Sequence, residues 1–426
     1  MATVILGGGL AGLSLASLLK DESVILEAES RPGGLCRSFE LDGVHYDIGP
    51  HIIFSKDQAA LDFLTGLAAT QKICRSNKIF HKGRFIKYPF ENELSALEPA
   101  ERDYCLKGFL NNPDRQRPAQ NMLEYYRKIF GAGIVELYLQ PYNEKIWKFD
   151  PALMDLQMVE RIPRPPDADI IRSAKGENTE GYLHQLYFNY PETGGICSLI
   201  SGLAARLGGK CKIHTGARIQ KILRTPLGWR VETASGVLAA QRLVNCMPLH
   251  ELFKYLDAPP DIISALHALQ YNSIHIVALH YKKDAIGSNF AVNFADKSII
   301  FHRLSKLGFL GANYRPAEGS VLLAEITFRP GVFPAELKSE EIKPAVCDGL
   351  HRLGLADRDD LLSWQLRTFK YAYVIYDLSH RKNARQILEY LHNCGIDCCG
   401  RFAEFEYLNM DAVACRSMNL AAKLNG

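Results

Sequence analysis

The chain has little charge asymmetry: 50 Lys and Arg stand against 47 Asp and Glu, a formal net charge of +3 over 426 residues. No Lys/Arg-rich run occurs of the kind that tracks a phosphate backbone, so nucleic acid is excluded as the main expected partner. Long apolar runs are missing too. None approaches the roughly 18 to 20 residues of a membrane-spanning helix, and no integral membrane segment is expected. The eleven cysteines are odd in number and scattered, without the even framework of a secreted disulfide scaffold. Reduced thiols and a cytoplasmic location follow as expectations. Cys394, Cys398 and Cys399 with His392 lack zinc spacing and a second ligand pair, so no metal is expected. The apolar start of the chain is glycine-rich and lacks a basic flank, which reads as folded domain rather than signal peptide. Internal repeats and low-complexity segments are also missing.

What is present is an ordinary globular composition, 47% hydrophobic and 23% charged, long enough for two or three domains at about 100 to 200 residues each. The strongest local signal lies in the first fifty residues. An apolar strand at 3–6 runs into Gly7-Gly8-Gly9-Leu10-Ala11-Gly12, helical spacing follows over 13–19, and a second strand at 23–26 ends on Glu27. This is a βαβ unit with GxGxxG at its turn. Gly7 permits the tight turn, Gly9 lets backbone approach a pyrophosphate, and Gly12 lets helix lie close on strand. The helix N-terminus then faces the phosphates, and Glu27 stands where it accepts hydrogen bonds from an adenosine ribose. FAD and NAD share this fingerprint. Arg31-Pro32-Gly33-Gly34-Leu35-Cys36-Arg37-Ser38 resembles the second glycine motif of the flavoprotein amine oxidase and protoporphyrinogen oxidase superfamily, which implies FAD, with Gly34 and Arg37 at the cofactor.

That resemblance implies an α/β fold: a Rossmann-like FAD-binding domain assembled from separated segments, an inserted helical domain and a β-sheet substrate domain. The expected boundaries are 1–80, 186–255 and 391–426 for the FAD-binding segments, 81–185 for the mostly helical part and 256–390 for the substrate sheet. Within these, charged and apolar residues mix at helical spacing over 95–131 and 134–155. Residues 162–178, with Pro163, Pro165, Pro166 and Gly176, read as a loop or mobile flap. Strand-like runs recur at 212–213, 217–223, 229–232 and 242–246, then at 274–280, 298–302 and 321–328, and the tail from Gly400 ends in a helical pattern.

Several motifs in order give a narrower resemblance, over nearly the whole length. Asp47-Ile48-Gly49-Pro50-His51, Tyr88-Pro89-Phe90-Glu91-Asn92, Pro141-Tyr142-Asn143-Glu144-Lys145-Ile146-Trp147 followed by Glu160-Arg161, and Gly400-Arg401-Phe402 with Tyr407 are similar to segments of the UDP-galactopyranose mutase family, nearer its eukaryotic type. The family interconverts six- and five-membered rings of a nucleotide-linked sugar. Reduced FAD acts there as nucleophile, through a covalent flavin N5-sugar adduct, with NAD(P)H or another external reductant to restore it. The resemblance implies UDP-galactose or a related nucleotide sugar as substrate, a cytoplasmic isomerase and a role in cell-surface polysaccharide synthesis from galactofuranose.

Residue by residue, the resemblance sets His51 beside the flavin as a tuning group and Arg161 and Arg303 on the departing diphosphate, where a planar cation gives paired, charge-assisted bonds. Tyr373 and Tyr407 take phosphate-binding positions. Tyr88, Phe90, Tyr138, Asn143 and Trp147 resemble the pocket for uridine and sugar, with Gln185 near the flap. Arg401 falls at the FAD pyrophosphate, and Asn409 and Asp411 at the start of the helix aimed at the flavin. Departures bear on substrate: Glu91 replaces an amide, Gln185 an asparagine and Asn293 a tyrosine. The sequence of 410–415 departs as well. A flavin oxidase of the amine or protoporphyrinogen oxidase kind is the alternative, distinguished by substrate-dependent oxygen consumption.

Overall fold

The computed structural model describes residues 3–159, 165–179, 186–332 and 337–426. Its first layer is a parallel five-stranded sheet in the order Ile396–Cys398, Arg242–Asn245, Thr3–Leu6, Ser23–Leu26, Cys211–His214. Thr3–Leu6 is central and buried along its whole length, as a strand covered on both faces must be. The helices Leu10–Leu18, Cys197–Arg206 and Met410–Leu424 pack one face with Leu13, Leu15, Leu199, Leu203 and Ala414. A three-stranded antiparallel sheet, Ile219–Thr225, Gly228–Thr233 and Gly236–Ala240, lies over the other side with Val231 and Trp229 in the core.

The second sheet has seven strands, in the order Leu361–Ile375, Gln270–Tyr281, Ser320–Phe328, Arg303–Lys306, Ala291–Phe294, Asn77–His81, Arg84–Lys87. Period-two alternation divides its residues between two cores. Val277, Leu279, Leu322 and Ala324 pack against the helix Ser339–Arg352. Ile274, Ile276, Ala278 and Leu323 face the hairpin Ser38–Leu41 and Val44–Asp47. The helices Pro99–Leu110, Met122–Ile134 and Gln140–Trp147, the last two joined through a π-helical turn at Val135–Leu139, form the third part.

The α/β architecture, the parallel sheet and the separate antiparallel sheet agree with the sequence expectation. Three local readings are corrected. Part of the expected flap at 162–178 is the helix Asp167–Ala174, which starts after Pro166, carries Asp167 and Asp169 in its first turn and buries Ile170 and Ala174. The Ser173 hydroxyl ties it to the Glu91 carbonyl at 2.7 Å. Residues 298–302 are turn rather than strand, since Ile299 and Phe301 are apolar because they plug the core beside Val346, and the strand begins at Arg303. The longest strand, Leu361–Ile375, was not anticipated: it is an edge, its first half has no fully buried position, and Leu362 and Trp364 remain exposed. Among the described residues no helix is long and apolar enough to cross a membrane, and no group of His, Cys, Asp or Glu is placed to hold a metal ion.

Candidate functional site

A cleft of about 890 Å³ opens at the C-terminal ends of the parallel strands, where open α/β sheets bind ligands. The chain leaves Thr3–Leu6 through Gly7, at φ +104°, where only glycine is at ease. Helix Leu10–Leu18 starts immediately beyond, so Leu10 and Ala11 of its first turn line the cleft. A Cβ at Gly12 would fall within contact radius of the Gly7 carbonyl oxygen and 3.2 Å from Ile5, which is why strand and helix can touch there. Both Glu27 oxygens are engaged by backbone, from the Gly8 amide at 2.8 Å and the Glu29 amide at 2.9 Å. Glu27 therefore braces the turn while also lining the cleft.

The second glycine segment closes on the first: the Gly33 amide donates to the Gly8 carbonyl at 2.8 Å, and Gly34 lies against Gly9. Arg37 is held by its own turn, Nε donating to the Gly34 carbonyl at 2.9 Å and Nη1 pairing with Glu29 at 3.3 Å. From the C-terminal segment come Gly400 and Arg401. The Arg401 guanidinium donates to the Leu408 carbonyl at 2.7 Å and the Ala372 carbonyl at 3.2 Å, and lies 5.1 Å over the Tyr407 ring. Asn409 is the N-cap of Met410–Leu424, and Leu408, Met410 and Val413 line the cleft. Asp411 turns instead to Ser55, whose hydroxyl it accepts at 2.9 Å.

His51 borders the same cleft. Its Nδ1 is 3.0 Å from the Gly49 carbonyl oxygen, which assigns the proton to Nδ1 and leaves Nε2 an acceptor. Burial, then the cations Arg401 and Arg303, push its pKa down to about 4. A neutral ring is thus expected throughout pH 5 to 8, and the stability contributed by that neutral form is lost only as pH falls from the unfolded value near 6.5 toward 4. Imidazole ¹⁵N NMR should show a flat His51 signal from pH 8 to 5. A midpoint between 6 and 7 would contradict the reading.

Next to this end of the cleft the sheet presents its charged row. Arg303 and Glu325 are directly opposed on neighbouring strands, and the guanidinium forks onto the carboxylate through Nε and Nη2, the latter at 2.6 Å. Glu325 is fully buried, whereas Arg303 keeps about a quarter of its side chain open. The carboxylate opposes the effect of burial on Arg303 and holds it charged. Gly49, at φ +73°, packs against this pair: a Cβ there would stand 2.9 Å from a Glu325 oxygen. Tyr373, Tyr407 and Trp147 form a triangle of rings with centroids 5.7 to 5.8 Å apart. Asn143 orients Trp147 by accepting its indole N–H at 2.9 Å while donating to the Leu139 carbonyl. Phe90, Tyr138 and Tyr142 stack in series at 5.1 and 5.2 Å, and the Tyr142 hydroxyl donates to Asn293 at 3.1 Å. Tyr88 is close enough to feel the charges of Glu91, Arg75, Arg303 and Tyr407.

Two glycine turns joined by backbone bonds, a helix N-terminus and an elongated cleft fit a flavin dinucleotide, and comparison with known proteins agrees. The family model for flavin-containing amine oxidoreductases matches residues 10–388. The chain belongs to this family. Among solved structures, this flavin amine oxidoreductase relative superposes on reduced UDP-galactopyranose mutase with a TM-score of 0.91 at 21% identity, over 99% of this chain and 95% of that one. A putative protoporphyrinogen oxidase from Exiguobacterium sp. 255-15 gives 0.79 at 18%, over 100% and 98%. By sequence, the flavoprotein is 24% identical over 209 residues to dTDP-fucopyranose mutase of Escherichia coli, 44% of this chain and 54% of that protein. It is 21% identical over 338 residues to chloroplastic protoporphyrinogen oxidase 1 of Spinacia oleracea, 68% and 58% respectively. It thus spans a little over half the length of each of these two relatives.

In the flavoprotein, Gly7, Gly9, Glu27, Gly34, Arg37, His51 and Arg401 come together on one cleft, and Gly12 underlies it. Asn409 and Asp411 stand beside it without lining it. Arg303, Tyr373, Tyr407, Trp147 and Tyr88 form the neighbouring cluster. Phe90 has no exposed surface and acts as backing for Tyr138, itself 3% exposed. Arg161 and Gln185 lie outside the described residues. Sequence reasoning missed Glu325 and Arg75. Glu325 had a signal: it is the one charge in the apolar strand Ser320–Phe328, and a buried charge demands a partner. Arg75, set beside Tyr88 and Arg303, has no such pattern around it.

Proposed function

We propose that the flavoprotein is a nucleotide-sugar mutase that interconverts the pyranose and furanose forms of a nucleoside-diphosphate hexose, UDP-galactose or a close relative, with reduced FAD and an external reductant such as NAD(P)H. The observation that carries this reading is the Arg303–Glu325 pair next to Tyr373, whose ring packs with those of Tyr407 and Trp147, beside the end of the cleft that His51 borders. Reduced FAD, when bound, supplies a nucleophile for the anomeric carbon, which lets one difficult substitution proceed as two easier ones. The chain's own part is electrostatic and geometric. Arg303, fixed by Glu325, meets the charge that gathers on the departing diphosphate, and a donor held in place beforehand need not reorganise as the bond breaks. The hydroxyls of Tyr373 and Tyr407 add neutral donors, and burial keeps the Tyr373 phenol protonated. Neutral His51 presents an acceptor without adding positive charge beside the flavin. Trp147, braced by Asn143, offers a wall for base or sugar, with Arg161 proposed as the second cation on the diphosphate.

The test is chromatography of UDP-galactose, dTDP-fucose and other nucleotide hexoses after incubation with dithionite-reduced protein. A furanose product, formed only in the reduced state, is expected. Absence of any furanose, together with substrate-dependent oxygen uptake by the oxidised protein, would assign the chain to the oxidase branch instead.

A further inference from the structure

One feature of the cofactor cleft is used neither by the proposed reaction nor by flavin binding. The parallel strands Arg242–Asn245 and Ile396–Cys398 pair Asn245 with Cys398, and the Cys399 amide continues the ladder to the Asn245 carbonyl at 2.9 Å. The next residues out, Cys246 and Cys399, are therefore neighbours at the strand ends. Both join the apolar cluster that holds helices Leu10–Leu18 and Met410–Leu424, whereas Cys398 and Cys394 belong to the cluster on the other side. The two thiols are close enough to interact electrostatically, and the Ser417 hydroxyl stands 3.5 Å from Cys399 Sγ. Neighbouring strands lie about 4.8 Å apart, inside the roughly 4.4 to 6.8 Å Cα window of disulfides. Cys399 is buried, while Cys246 is partly exposed and lines the cleft.

We infer that Cys246 and Cys399 are a reversible redox pair whose disulfide, formed by exchange with a low-molecular-weight disulfide such as oxidised glutathione, loosens the flavin cleft. The chemistry balances within the pair and its oxidant. Cys246, the partly exposed thiol, gives its proton to solvent base and attacks one sulfur of the small disulfide, expelling one thiolate; Cys399 and burial hold its thiol protonated, which makes this the slow step. The Cys399 thiol then gives up its proton and attacks the mixed disulfide at Cys246, expelling the second. Two protein thiols are oxidised to one cystine, and one small disulfide is reduced to two thiols. Once Cys246 is a mixed disulfide it has no proton to donate, and the Ser417 hydroxyl, 3.5 Å from Cys399 Sγ, is the donor left to favour the Cys399 thiolate for the second step.

The link to the cofactor is steric. Cys246 donates its amide to the Leu6 carbonyl at 2.8 Å, and its own carbonyl carbon lies 3.1 Å from where a Cβ on Gly7 would be. Cys399 leads directly into Gly400, whose missing side chain leaves room for Ala11. Drawing the two sulfurs to covalent distance shifts the floor under the first glycine turn and the start of the third cofactor segment together. The proposal rests on flavin binding in this cleft and not on the mutase reading.

The test uses the flavin-loaded full chain equilibrated with glutathione redox buffers, read by non-reducing peptide mass spectrometry and by the fluorescence of released FAD. A Cys246–Cys399 linked peptide is expected, formed with release of FAD and reversed by dithiothreitol. Oxidation is expected to weaken FAD binding roughly tenfold, and saturating FAD to raise by the same factor the oxidant ratio needed, because coupling between two equilibria is reciprocal. The Cys398→Ser variant should behave as wild type, and the readout on unmodified protein does not depend on whether Cys246→Ser or Cys399→Ser fold. The inference is overturned if no 246–399 linkage forms, if the linkage runs through Cys398, or if it accumulates while FAD affinity stays unchanged.

Discussion

Arg303→Ala is expected to lower turnover of the nucleotide sugar by roughly 10²- to 10³-fold, the usual consequence of deleting one fixed donor to a transition-state anion. The same change should also cost stability, because Glu325 has no exposed surface and loses both bonds of its fork. Stranding a buried charge in this way costs about 3 to 5 kcal/mol. The two effects separate in a double variant. Arg303→Met with Glu325→Gln removes cation and buried charge together, so denaturant unfolding should recover most of the stability while turnover stays low. If the double variant regains activity, the diphosphate is held elsewhere. If Arg303→Ala leaves unfolding unchanged, the pair is not the buried unit described here. Arg303→Lys should fall between, since an ammonium keeps the charge but cannot fork.

Gly12→Ala should largely abolish flavin loading. The added methyl meets a carbonyl that has little freedom to move: the Gly7 amide is tied to the Leu26 carbonyl at 2.8 Å, and backbone of Cys246 and Met247 closes the space beside Gly7, 3.1 Å from where a Cβ would stand. Relief requires helix Leu10–Leu18 to lift from the strand, which withdraws its N-terminal amides from the cleft. A loss of at least about tenfold in FAD affinity, some 1.4 kcal/mol, is expected and is measured by flavin content after dialysis. Gly209→Ala is the matched control, because a Cβ there meets nothing within 4 Å and the backbone is not left-handed. Retention of flavin by Gly12→Ala at the wild-type level would refute this account of the turn.

The parts legible in the sequence were those specified by local sterics. The run from Gly7 to Gly12, bounded by strands and followed by Glu27, encodes its own geometry within about one βαβ unit, and the structure places it as expected. The helices within 95–155 were legible for the same reason, through spacing. What escaped was set by register. Arg303 and Glu325 are 22 residues apart and meet only because two strands align them. The strand Leu361–Ile375 carries Tyr373, which the sequence resemblance singled out, yet its edge position spreads polar and apolar residues over both faces. Helix Asp167–Ala174 hid behind three prolines that mark its approach rather than its length. Phe90 and Asn143 had visible motifs, but their work of bracing Tyr138 and Trp147 is a matter of neighbours that no linear spacing reveals.

The order of strands in the parallel sheet also constrains how the protein is made. Its five strands start at residues 3, 23, 211, 242 and 396, and the cleft takes Gly400 and Arg401 from just past the last of them. A growing chain therefore exposes the first glycine turn several hundred residues before the wall opposite it exists. At about 5 to 20 residues per second, that interval lasts tens of seconds. Between the synthesis of residue 245 and that of residue 396 the half-built sheet has an open edge at Arg242–Asn245, a ready template for wrong pairing. Flavin capture consequently waits until residues 400 and 401 have been made, and colour marks molecules whose translation ran past them.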